Sequence, residues 1–196
     1  MPRIDRETPS VIAIGASTGG PPVFLQILQA LPKKFPVPIV AVQHVAEGFM
    51  NSLVGWLQQH CRVKVKLAEK GERICRGTVY FAPEGYHLEV NSSGIIALSS
   101  APPQAGHRPS IDLTFQSLCC FSPCCWAFLL TGMGKDGAQG LKGLHDSGCY
   151  TVVQDPASSI IYGMPGEALR LHAVDEVLSP PLMIERLLGL VERKAL

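Results

Sequence analysis

The sequence predicts an α/β fold: a doubly wound, mostly parallel, Rossmann-like sheet carrying an antiparallel hairpin insertion. Apolar runs at 11–15, 37–42, 126–131 and 150–154 are rich in Val, Ile and Leu with little polar alternation, the pattern of strands covered on both faces. Helical patterns follow at 21–31, 49–60, 137–147 and 180–194, and strand then helix, repeated, builds a parallel sheet with helices on both sides. The middle of the chain departs from this. Gly77–Pro83, Tyr86–Val90 and Ile95–Leu98, with Asn91–Gly94 as a turn, read as a hairpin antiparallel to the rest.

The remaining stretches are assigned by composition. Residues 99–109 hold Pro102, Pro103 and Pro109 and form one long loop, and Ile111 to Cys120 carries a helical pattern. A chain of 196 residues buries a sizeable core as one domain, expected over 11–196 behind a flexible segment at 1–10. Formal charge is +1, from 17 basic and 16 acidic residues, so no field draws in nucleic acid or an anionic membrane. No apolar run approaches the roughly 20 residues that span a bilayer, and Met1–Glu7 lacks the apolar centre of a secretion signal. The expected location is the cytoplasm.

Seven cysteines are present, four of them within Cys119–Cys125. An odd total argues against a disulfide framework, and the spacing of Cys119, Cys120, Cys124 and Cys125 matches no common zinc pattern. The reading is of small buried thiols beside a strand, with metal binding a distant second and no metal or cofactor expected.

Ligands of open parallel sheets gather at the carboxyl ends of the strands, so the polar residues just after each apolar run carry the candidate chemistry. The first run ends in Gly15-Ala16-Ser17-Thr18-Gly19-Gly20, a G-x-S-x-G turn between strand and helix. Such an elbow lifts a serine hydroxyl clear of the sheet, with Gly15 and Gly19 giving room around a strained central residue. The bland alternative is that Ser17 only caps the next helix.

The second run ends in Gln43-His44 and the third in Thr131–Gly137, which contains Asp136. A serine hydroxyl is nearly inert until a base takes its proton, an imidazole is mostly unprotonated at neutral pH, and a carboxylate behind it fixes its tautomer. Ser17, His44 and Asp136 supply those types, in an order different from that of α/β-hydrolases. His60, His87, His107, His145 and His172 compete as bases, but His44 alone follows a buried parallel strand; His87 and His107 remain open as substrate contacts. His44 is alternatively a core histidine, and Asp136 a helix cap.

A dinucleotide-binding module is the second reading. Gly132, Gly134 and Gly137 follow a strand and open a helix, with Asp155 ending the next strand. Against it, the fingerprint normally opens such a domain, and here it leaves Ser17 and His44 idle.

Six blocks in order resemble the catalytic domain of CheB-type chemotaxis protein-glutamate methylesterases: Gly15–Pro21, Gln43-His44, Gly77–Pro83, His107–Asp112, Leu130–Ala138, and Gln154-Asp155 through Ser158-Ser159 to Tyr162–Pro165. The resemblance runs from about Val11 to Leu178. It implies a nucleophile at Ser17, a general base at His44 and an orienting acid at Asp136. It implies oxyanion donation near Met133, with Thr18 beside it, worth about 3–4 kcal/mol for such a donor.

The same resemblance implies hydrolysis of γ-glutamyl methyl esters to glutamate and methanol and deamidation of certain glutamines. The implied substrates are the cytoplasmic helices of methylated chemoreceptors, with a separate receiver domain or chemotaxis kinase as a further partner and neither nucleic acid nor membrane insertion. Arg108 is a candidate contact to an acidic receptor surface. Three features depart from the family pattern. Only ten residues precede Val11, where members often carry a receiver domain, so a free-standing form or a piece of a longer chain is expected. Leu171–Asp175 lacks an expected glycine beside His172, which puts the turn geometry there in question. The segment 119–125 is cysteine-rich and has no functional account.

Overall fold

A computed structural model describes residues 8–122 and 124–192. Strands β1 (Val11–Ala16), β2 (Ile39–Gln43), β3 (Lys64–Leu67), β4 (Thr78–Phe81), β7 (Cys125–Leu129), β8 (Tyr150–Gln154) and β9 (Glu176–Leu178) form a seven-stranded sheet in the order β3-β4-β2-β1-β7-β8-β9. Every neighbouring pair in it is parallel. Strands β5 (His87–Val90) and β6 (Ile96–Ser99) form a separate antiparallel hairpin, closed by the turn that the sequence predicts.

Alternation along each strand sorts the two faces. Ile12, Ile14 and Ala16 of β1 face α1 (Gly20–Ala30), α2 (Met50–His60) and α6 (Pro180–Glu192) through Phe24, Leu57 and Leu187. Val11 and Ala13 face α3 (Ile111–Ser117), α4 (Ala138–Asp146), α5 (Gly163–Arg170) and the hairpin through Phe115, Leu141, Met164 and Leu88. Burial on both sides is what a Val- and Ile-rich strand without polar alternation requires.

Three strands differ from the sequence expectation. Thr78–Phe81 is not an antiparallel arm but a buried parallel strand between β2 and β3, its register set by Ile39 against Val79. Strand β3 was hidden because an edge strand keeps one side in water, and here Lys64 and Lys66 occupy it. Strand β9 is three residues long, too short for any period to register. Of the segment expected at 1–10, residues 1–7 lie outside the described range, as do 193–194 of the last predicted helix.

The elbow also differs in its mechanics. Among the described non-glycine residues only Ala105 and His172 have positive φ, so Ser17 is not the strained residue. The left-handed conformation falls on Gly19, at φ 84°, which is the N-cap of α1. Gly15 lies in extended strand, and its role is close packing: a methyl there would run into Ile111 of α3.

The thiols divide. Cys125 and Cys149 are fully buried at the amino ends of β7 and β8, Cys119 and Cys124 are half-buried, and Cys120 is exposed. At the end of α5, Ala173 N–H bonds Ala168 carbonyl oxygen at 3.0 Å, the six-to-one bond of a Schellman ending, with His172 in the left-handed position at φ 54°. The missing glycine noted in the sequence is thus replaced by a residue that pays for its Cβ there. His172→Gly is expected to raise stability by about 0.5–1 kcal/mol after the added unfolded-state entropy, or the melting temperature by about 2 °C. Calorimetry showing no rise would mean that contacts of the imidazole outweigh the strain.

Candidate active site

The sheet reverses its winding between β1, the central strand, and β7. Loops leaving the carboxyl ends of strands on either side of such a switch point diverge and leave a crevice. Ser17 follows β1, His44 follows β2, and Thr131 to Asp136 follow β7, so all three loops open at that crevice.

Hydrogen bonds fix the loops to one another. Ser17 N–H bonds Thr131 carbonyl oxygen at 3.0 Å, and His44 N–H bonds Ala16 carbonyl oxygen at 3.0 Å. Gln43, buried at the last position of β2, donates from Nε2 to the carbonyls of both Ser17 and His44 at 2.8 Å. Gln154, buried at the last position of β8, accepts from Thr131 N–H at 2.9 Å and donates to Ser158. The Thr131 hydroxyl donates to Thr18 carbonyl oxygen at 2.9 Å and accepts from Ile161 N–H at 3.0 Å. Two buried glutamines and a threonine therefore pin the elbow to both neighbouring loops.

His44 and Asp136 are in contact, with Nε2 3.0 Å from Oδ2 and side chains 12% and 2% exposed. Nδ1 of His44 is buried and has no hydrogen-bonding partner among the described residues. Asp136 is held by the first turn of α3: it accepts from Ser110 Oγ at 2.9 Å, Ile111 N–H at 2.8 Å and Asp112 N–H at 3.1 Å. Burial pushes its carboxyl up, but His44 and the Ile111 and Asp112 amides outweigh this and leave it below the usual aspartate range.

The arrangement is reciprocal. Asp112, in the first turn of α3, accepts from Gly140 N–H at 2.7 Å, in the first turn of α4. Each helix start thus receives a carboxylate from the segment that opens the other. Asp112 is pushed up by burial, against the opposing amide of Gly140, and the charge of Asp136 adds to the rise.

Other predicted residues fall as follows. Thr18 is exposed and Met133 is 65% exposed, both at the crevice rim. Their backbone amides have no acceptor among the described residues. His87 is no substrate contact: it is fully buried, donating from Nε2 to Pro102 carbonyl oxygen while Nδ1 accepts from Ser110 N–H, each at 3.2 Å. Arg108 is turned to its own loop, bonding the carbonyls of Ser100 and Ala101 at 3.1 and 3.2 Å. His107 lies flat against His44, ring centroids 4.1 Å apart and planes within 2°.

A groove of about 490 Å³ runs from His44 past His107, Glu47 and Glu84. Glu84 anchors its far wall by accepting from the amides of Gly48, Phe49 and Met50 at 3.0–3.2 Å, which caps α2 and fixes the loop that leaves His44. Sequence reasoning did not find Gln43 and Gln154 as anchors, Ser110 as a donor to Asp136, or Glu84. For the two glutamines the available signal was a polar residue closing a buried strand.

The dinucleotide reading finds no support. A pyrophosphate would need the first turn of α4, and the Asp112 carboxylate already fills it. Asp155 is occupied by the amide and hydroxyl of Ser158.

Fold and site together define a doubly wound α/β domain with a hydroxyl, an imidazole and a carboxylate at its switch point. The sequence profile of the CheB methylesterases matches residues 12–187. A protein-glutamate methylesterase/protein-glutamine glutaminase of Geobacter metallireducens is 44% identical over 185 residues, 93% of this chain and 53% of that protein. The protein-glutamate methylesterase FrzG of Myxococcus xanthus is 43% identical over 86% of this chain and 51% of its own. The crystal structure of the Thermotoga maritima CheB methylesterase catalytic domain superposes with a TM-score of 0.89 at 34% identity, covering 94% of this chain and 100% of that one. The chain belongs to the CheB methylesterase family. It spans about half the length of the curated relatives it matches.

Asp136 sets an acid-side test. Its folded-state pKa lies below the ordinary value of about 3.9, so it contributes stability that is present above that pH and is lost as pH falls through the lower folded value. Asp136→Asn is expected to be less stable at neutral pH and to lose less stability between about pH 4 and pH 2. Urea unfolding across that range measures both, and an unchanged acid slope would show that the carboxyl is not held as described.

Proposed function

We propose that this domain is a serine hydrolase of the chemotaxis adaptation type, which removes methyl esters from γ-glutamyl side chains of chemoreceptors and deamidates receptor glutamines. The single observation that carries the reading is the contact of His44 with a carboxylate held by three donors, beside the loop that presents Ser17. The names of relatives that match most of this chain, protein-glutamate methylesterases, support the substrate class.

In this reading Ser17 Oγ attacks the ester carbonyl carbon as its proton passes to His44. Nε2 faces Asp136, which leaves Nδ1 as the nitrogen that receives it. Asp136 fixes the tautomer and favours the imidazolium as it forms. The carbonyl oxygen becomes an oxyanion facing the free amides of Met133 and Thr18. The tetrahedral intermediate collapses, the carbon–oxygen bond to the methoxy group breaks, and the imidazolium returns the proton so that methanol leaves. Water, activated by the same imidazole, then cleaves the glutamyl–serine ester and leaves glutamate. With a glutamine side chain the leaving group is ammonia.

The exposed rim suits a side chain standing on a protein surface: Met133 and Ile160, 65% and 72% exposed, flank the elbow. The substrate is read as the cytoplasmic helices of a methylated receptor, which places the domain in the cytoplasm, with a receiver domain or chemotaxis kinase as regulatory partner. Among the described residues no helix is long and apolar enough to cross a membrane. Ser17→Ala is expected to lower methanol release from tritium-methylated receptor membranes to background, a loss of at least about 10⁴-fold for removing a nucleophile. Release within tenfold of the parent protein would remove Ser17 from the mechanism.

A further inference from the structure

A histidine in contact with a carboxylate is fixed along one line only. The torsion about its ring bond is broad, so the plane of the ring can rock while the Nε2 to Oδ2 distance is kept. A nitrogen that must meet a serine hydroxyl within about 3 Å needs that plane held as well. In this structure the only described ring stacked on His44 is His107, at 4.1 Å and 2°.

His107 is itself built in. Its amide and carbonyl make a reciprocal pair of hydrogen bonds with Gln104, at 2.9 and 3.0 Å. The loop behind it is tied down by Arg108 on the Ser100 and Ala101 carbonyls and by His87 on Pro102. Three residues further on, Ser110 opens the turn that grips Asp136. One short stretch of chain therefore holds the carboxylate at the edge of His44 and lays a ring on its face.

We propose that His107 is a positioning residue, a planar platform that holds the imidazole of His44 in the orientation needed for proton transfer from Ser17. The proposal rests on the hydrolase reading above. Burial, then the neighbouring His44, lowers the His107 pKa, with Asp136 opposing, so the platform stays uncharged at neutral pH and does not repel the imidazolium that forms beside it. His107 does not touch the reacting atoms in this scheme. What it supplies is flat aromatic area, which another aromatic ring can replace.

The test compares the parent protein with His107→Ala and His107→Phe on tritium-methylated receptor membranes, with circular dichroism as the check on folding. Removing one aromatic stacking contact is expected to lower kcat about three- to tenfold in His107→Ala with KM unchanged within twofold, and His107→Phe is expected to return kcat to within about twofold of the parent. Full kcat in the alanine variant would overturn the proposal. So would a defect confined to KM, which marks a substrate contact, or a phenylalanine variant as slow as the alanine one, which marks a need for the ring nitrogens. Should the alanine variant not fold, the phenylalanine variant decides alone: parent-like kcat supports the platform, and a tenfold loss ends it. Failure of the parent protein itself to release methanol would instead overturn the hydrolase reading.

Discussion

Two carboxylates exchanged between two helix starts hold this site together. Asp136, just before α4, sits in the first turn of α3, and Asp112, inside that turn, reaches the first turn of α4. Each satisfies amides that a helix start leaves without partners. The exchange explains why a buried negative charge is tolerated beside His44, because three donors and the imidazole offset its loss of water. Asp112 lacks that compensation and its carboxyl is pushed the opposite way. Two aspartates at the same pair of helix starts thus come to differ in how readily they ionise through their surroundings alone.

Rigid backbone does the rest. Loops at a switch point are held only at their strand ends, and catalysis that depends on orientation needs more than that. Here buried amide side chains supply it. Gln43 bonds the carbonyls of the residues that carry the proposed nucleophile and base, while Gln154 and Thr131 tie the same elbow to the other side of the crevice. Glu84 then fixes the loop beyond His44. The side chains left without such duties, Thr18, Met133 and Ile160, are the exposed ones at the rim.

Much of the fold was legible because buried parallel strands write an unambiguous pattern: β1, β2, β7 and β8 are wholly buried and wholly or nearly apolar. Edge strands write a weaker one, which is why Lys64–Leu67 does not stand out in the sequence. Thr78–Phe81 reads as a strand in the sequence but its partners do not, since pairing is settled by contacts distant in sequence. The helix α5 was not delimited, as its glycines and proline disfavour a helix and tertiary packing of Met164 and Ala168 carries it.

By itself, then, the sequence determined the layer architecture and the places where polar residues interrupt apolar runs, because burial and backbone period are local properties. Ser17, His44 and Asp136 could be named as a set on that basis. Only the tertiary structure decided that Asp136 belongs to α3, that Gly19 rather than Ser17 takes the left-handed turn, that His87 is a buried brace and that His107 lies on His44. The pairings among them join segments 23 to 63 residues apart in the chain, about which neither composition nor periodicity carries information. Distance and angle, not residue type, separate a brace from a contact, and those arise only when the sheet brings the loops together.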